Sequence, residues 1–212
     1  MKNNIYTVIV GDLVGSRDTE DRQKLAGTIP DILQKVSEEF LPSFLAPLTL
    51  TRGIDELSGV LKEPSASYKI CREINTRVSP AIFRFAIVRG KLDVGIDTSD
   101  AAKMDGPAFH RAGSLIEQAR KKERCYLFDL GLEDTSKEKL LNELTHITHL
   151  YQMRWTDRER EVAALYEHLG SQESVAEKLG ISQPAVSKVL TNIRWQDYQC
   201  AGNKITEALQ LE

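Results

Sequence analysis

The stretch Thr7–Arg17, TVIVGDLVGSR, opens as a run of β-branched and aliphatic residues and then sets a carboxylate, Asp12, and two glycines where the run ends. Such a run predicts a strand over Tyr6–Val10. From Thr19 to Phe40, the residues Leu25, Ile29, Ile32, Leu33, Val36 and Phe40 recur at helical spacing, and Pro30 inside that pattern predicts a kink or a break. Leu48–Arg52 and Glu56–Leu61 are short strand-like runs around Gly53, Ile54 and Asp55, which predicts a hairpin. A helix from Pro64 to about Val78, a strand over Ile82–Arg89, a helix from Pro107 and a strand over Cys125–Phe128 follow. The order β-α-β-β-α-β, with one further helix and strand, predicts an α+β fold. The expectation is a ferredoxin-like, or palm, antiparallel sheet with helices on one face over residues 1–130. Leu130–Ser136 is polar and turn-rich, and an all-α region, 137–212, is expected beyond it.

Composition narrows the function classes. The 212 residues carry 28 Lys and Arg against 31 Asp and Glu, a formal charge of -3, so no global positive field announces nucleic acid and any DNA contact must be local. MKNNIYTVIV lacks the basic and apolar regions of a leader, and no apolar run approaches membrane-spanning length. A soluble, cytoplasmic protein with no membrane partner is expected. Cys71, Cys125 and Cys200 are single and widely spaced, which predicts reduced thiols in packing or surface roles.

Gln172–Ile193, QESVAEKLGISQPAVSKVLTNI, is the most specific signal in the chain. Two helices crossing steeply need a small residue at their contact, a turn residue tolerant of positive φ and apolar inner faces. Ala176, Gly180 and the set Val175, Leu179, Ile181, Val186 and Val189 supply these, and Ser182 is placed as an N-cap ahead of Pro184. Thr156 with Glu159 forms a capping box opening a supporting helix. The segment, about 156–194, resembles the trihelical helix-turn-helix domains of bacterial regulators and of sigma factors. The residues proposed to face double-stranded DNA are Gln172, Ser182, Gln183, Ser187, Lys188 and Thr191. The alternative is a packing or dimerisation module. Basic and acidic residues are in similar number there, so affinity is expected to depend on a homodimer. Trp155 and Trp195 bracket the segment and are expected to staple it to its neighbours.

In a palm-like sheet the end of the first strand lies beside the central hairpin, which would bring Asp12 and Asp55 together as ligands of Mg2+ or Mn2+ carrying a nucleotide. Gly11, Gly15 and Ser16 could present backbone N–H groups to a phosphate, with Arg17 nearby, although GDLVGSR lacks the GK[ST] of a Walker loop. His110 and Arg111, in the first turn of a helix, are further candidates for an anion. The alternatives are a turn-capping role for Asp12, a solvated role for Glu56 and a surface pair for His110 and Arg111. The basic run Arg120, Lys121, Lys122 and Arg124 reads as a solvated helix end, and His146 with His149 as a half-exposed pair.

VIVGDLVGSR, IDELSGVL at Ile54–Leu61, RFAIVRG at Arg84–Gly90 and MDGPAFHRA at Met104–Ala112 together resemble the SatD family of bacterial proteins. The resemblance covers most of the chain. It implies a domain similar to class III nucleotide cyclases, in which aspartates on the first strand and the hairpin bind two metal ions, joined to a C-terminal helix-turn-helix. Ile54 stands where the family hairpin has glycine, with Gly53 available to take the turn. His110 and Ser114 stand where cyclases carry asparagine and arginine, which removes an electrostatic contribution to cyclisation. These features predict a DNA-binding regulator whose palm-like domain senses a nucleotide or other phosphorylated ligand. The alternative is a metal-dependent nucleotidyl cyclase or nucleotidyl or phosphoryl transferase.

Overall fold

A computed structural model describes residues 4–15 and 22–210, and the chain divides into two compact units, Met1–His146 with Ile205–Glu212, and Ile147–Lys204. The first unit is built on β1 (Ile5–Leu13), α1 (Arg22–Glu39), β2 (Phe44–Arg52), β3 (Glu56–Leu61), α2 (Ser67–Val78), β4 (Phe83–Lys91), α3 (Pro107–Lys121) and β5 (Tyr126–Asp129). The strand order is β2-β3-β1-β4-β5. The first four strands pair antiparallel, in the ferredoxin-like order, whereas β5 runs parallel to β4. The sheet is therefore mixed rather than wholly antiparallel, because α3 forms the crossover that parallel strands require.

Successive side chains of β1 serve opposite faces. Ile9 and Leu13 join a core with Ile29, Leu33 and Val36 of α1 and Ile70 and Ile74 of α2. Val8 and Val10 join a second core with Ala108, Ala112 and Ile116 of α3. Helices thus cover both faces, not one. The unbroken apolar run at Val8–Val10 is the sequence signature of a strand buried on both sides. α1 runs through Pro30 as one helix. Cys71 and Cys125 are buried free thiols and Cys200 is exposed; burial pushes the Cys125 thiol up to about 12, so it stays protonated.

α4 (Ser136–Met153) places Leu141 in the first unit's core, which Ile205 and Leu209 also enter. The second unit contains α5 (Asp157–Leu169), α6 (Gln172–Leu179), α7 (Gln183–Asn192) and the start of α8 (Trp195–Ala208). Thr156 caps α5 through the reciprocal bonds of a capping box, and Gly170 and Gly180 end α5 and α6 in the left-handed conformation, at φ 69° and 63°. The core is aromatic: Trp155 and Tyr198 have ring centroids 4.8 Å apart, with Trp195 beside both and Val162, Val175 and Val186 beneath. Among the described residues no helix is long and apolar enough to cross a membrane.

Candidate functional site

The end of β1 positions the first candidate. Asp12 lies opposite Glu56 on β3 and Arg84 on β4, and Glu56 lies opposite Arg52 on β2. Directly opposed residues share a face, so Arg52, Glu56, Asp12 and Arg84 form a charged row across the sheet, on the face of Val8 and Val10. α3 adds Arg120 to this row. Asp12 accepts from Arg84 Nη1 at 3.3 Å through one carboxylate oxygen and from Arg120 Nη2 at 3.2 Å through the other. Arg120 also reaches Glu117 at 3.2 Å, and Thr51 donates to Glu56 at 3.1 Å. The carboxylate at the end of the apolar run is thus the counter-charge of Arg84, whose side chain is only 13% exposed. The bond to Asp12 pushes the Arg120 guanidinium above its usual range, so Arg120 stays charged.

Asp55 sits in the hairpin turn, where Gly53 takes the positive-φ position at 59° and the Asp55 carbonyl accepts from the Leu13 N–H at 2.7 Å. Asp12 thus faces Glu56 on the ladder, while Asp55 meets β1 through its backbone. In this arrangement the residues do not fit a divalent ion: a cation at Asp12 would face two guanidinium groups, and the described residues hold no cluster of three or more His, Cys, Asp or Glu that could bind a metal.

The residues expected at a phosphate do not converge either. Gly11 lies inside β1, where a Cβ would come within 2.9 Å of both Leu57 and Phe85, so close packing accounts for it. Gly15 is exposed in the following turn at φ 68°, and Ser16 and Arg17 lie outside the described residues. Arg111 Nη1 donates to Asp129 at 3.1 Å and Nη2 to the Arg89 carbonyl at 2.6 Å, which ties α3 to β4 and β5. His110 is exposed, with Nε2 3.2 Å from the Asp105 carboxylate. Half of the basic run expected to be solvated is engaged: Arg120 holds Asp12, and Arg124 makes a two-pronged bond to Glu143 at 3.1 and 3.0 Å.

The second candidate is α7. Gln183 donates to Gln172 at 2.6 Å, bringing these two expected contacts together at the start of the helix. Ser182 occupies the N-cap position without a side-chain capping bond, and the Ser187 carbonyl accepts from Thr191 Oγ1 at 2.9 Å. Pro184, Ala185, Lys188, Thr191 and Asn192 are exposed at helical spacing. α7 contains no Asp or Glu, whereas α5 and α6 carry Asp157, Glu159, Glu161, Glu167, Glu173 and Glu177.

The SatD family model matches residues 6–204, across both units. The chain belongs to the SatD family. Among solved structures, a bacterial light-regulated adenylyl cyclase is similar with a TM-score of 0.44 and 13% identity, over 60% of this chain and 77% of that one. None of the curated proteins matches.

The motifs of this SatD-family chain meet in two ties. IDELSGVL gives Glu56 and RFAIVRG gives Arg84 to the charged row around Asp12. RFAIVRG also gives Gly90, whose missing side chain leaves the space that the Arg111 guanidinium of MDGPAFHRA occupies. Sequence reasoning missed Arg84 and Arg120 as partners of Asp12, and no local pattern encodes a pairing across 72 and 108 residues.

Proposed function

We propose that this SatD-family chain is a DNA-binding regulator in which α6 and α7 act as a helix-turn-helix and α7 enters the major groove. The carboxylate-free exposed stripe of α7 carries this reading. Phosphates repel acidic side chains, so a helix cleared of them beside two acid-rich helices suits a polyanion. Pro184 and Ala185 allow close approach, Lys188 supplies a cation, and Thr191 and Asn192 offer polar atoms to base edges. One lysine gives weak phosphate attraction, and a homodimer presenting two copies of α7 raises affinity through effective concentration.

Selection of binding sites from a random duplex pool with the full chain tests the reading. An enriched sequence is expected, with Lys188→Ala weakening binding to every sequence and reducing the salt slope by about one. Failure to enrich any sequence at low salt overturns it.

A second reading, a nucleotide-sensing or metal-dependent nucleotidyl or phosphoryl transferase domain, has in its favour that Asp12 and Glu56 bring carboxylates side by side at one end of the sheet. It requires Asp12 to leave Arg84 and Arg120. A Tm increase that needs both a nucleotide and Mg2+ or Mn2+, and vanishes in a folded Asp12→Asn variant, would favour it.

A further inference from the structure

Gln172 is the first residue of α6 and Gln183 the first of α7, and both are half-buried. Gln183 Nε2 donates to Gln172 Oε1 at 2.6 Å, across 11 positions of the chain that include the Gly180 turn. Among the described residues the Gln183 carbonyl oxygen has no hydrogen-bond partner and is not a buried unpartnered atom, so it is open to solvent. A primary amide carries two N–H donors beside its acceptor oxygen. With one N–H given to Gln172, Gln183 keeps one donor and one acceptor for another molecule. The bond to Gln172 also removes in advance part of the torsional freedom that a long polar side chain must lose on binding.

We infer that Gln183 reads an adenine in the major groove, and that Gln172 is the positioning residue that orients its amide. The Gln183 carbonyl oxygen accepts from the adenine N6 amino group, and its remaining N–H donates to N7. The major-groove edges of the four bases decide between them. Adenine presents an acceptor beside a donor, the complement of what Gln183 has left. Guanine presents two acceptors, N7 and O6, and a matched contact needs both Gln183 N–H groups, one of which Gln172 holds. Cytosine offers a donor alone and thymine an acceptor beside a methyl group, so each leaves half of the amide unsatisfied in a dehydrated contact. Residues at the N-terminal end of a recognition helix are the ones that reach base edges, and Gln183 opens α7. Pro184 and Ala185, which follow it and are exposed, carry no hydrogen-bonding side-chain group to compete for the base.

This role for Gln183 rests on the helix-turn-helix reading, and the two fail separately. Each base pair of the duplex enriched by the full chain is replaced in turn, and affinity is measured for the wild type and for variants whose fold is checked by circular dichroism. At one position adenine should be preferred over guanine by about tenfold or more in the wild type, and the preference should vanish in Gln183→Ala. 7-Deazaadenine at that position, which lacks the N7 acceptor, should weaken wild-type binding and leave Gln183→Ala unaffected. Gln172→Leu removes the acceptor and should relax the preference, whereas Gln172→Glu, whose carboxylate only accepts, should retain it whatever the overall affinity. Failure to enrich any duplex overturns both readings. An enriched duplex whose adenine preferences all survive Gln183→Ala, or that tolerates 7-deazaadenine at every adenine, overturns the role of Gln183 and leaves the helix-turn-helix standing. Equal preference in Gln172→Leu and Gln172→Glu overturns the positioning role of Gln172.

Discussion

Asp12 near the end of β1 in the sheet unit and Lys188 midway along α7 in the helical unit are both charges on a regular element, and their surroundings differ completely. Asp12 is held by Arg84 at 3.3 Å and Arg120 at 3.2 Å, and Glu56 stands beside it with Arg52 opposite. Lys188 is exposed and, among the described residues, makes no ion pair; its helix offers it no acid. A charge already matched within the chain gains little from a ligand, because the ligand must first replace a partner of comparable strength. An unmatched charge on a neutral face keeps its interaction free for another molecule. The contrast sets a charged row matched within the chain against a face of α7 whose one charge is not.

The strongest test of closure is Gly106→Ala. Gly106 has φ 151°, and a Cβ there would lie 2.9 Å from Leu92 Cα and from the Asp93 nitrogen, both backbone atoms. A loss of about 3 kcal/mol or more is expected in urea unfolding, and a variant as stable as the parent would break the picture of a sheet unit closed by tight ties. Asp12→Asn is the next largest: it strands the largely buried Arg84 charge and should cost about 2 kcal/mol. A gain in stability instead would mark Asp12 as a residue held at the expense of the fold, as functional sites often are, and would reverse the contrast. In the helical unit, Thr156→Ala removes the capping box and should cost about 1 kcal/mol. Differential scanning calorimetry would read it as a lowered Tm.

The smallest expected effect concerns Glu138, whose carboxylate accepts from the Leu130 N–H. Burial, reinforced by Asp129, pushes its pKa above the ordinary glutamate value. The folded chain therefore holds a proton that the unfolded chain has released, and the stability this contributes, full below the ordinary value, is lost as pH rises through the raised one. Glu138→Gln should flatten that part of the stability profile, seen by urea unfolding at a series of pH values.

What the sequence disclosed was what is local. The hairpin around Gly53, the Thr156–Glu159 box and the Gly180 turn each depend on residues within a few positions of one another, and each is present. The coverage of the sheet was also written in the unbroken apolar run of β1, yet the helix order alone suggested a single covered face. The site was less legible. Whether Asp12 awaits a metal or answers an arginine depends on strand register and on the far end of α3, and neither leaves a trace near Asp12. Arg111 reads as an anion ligand until the space above Gly90 is seen to hold its guanidinium.

The aromatic core of the helical unit has an optical consequence. Both tryptophans of the chain, Trp155 and Trp195, are buried there beside Tyr198, while the sheet unit contains none. Intrinsic tryptophan emission is therefore a built-in reporter of one unit alone: its red shift on denaturation times the opening of the helical core, whatever the sheet is doing.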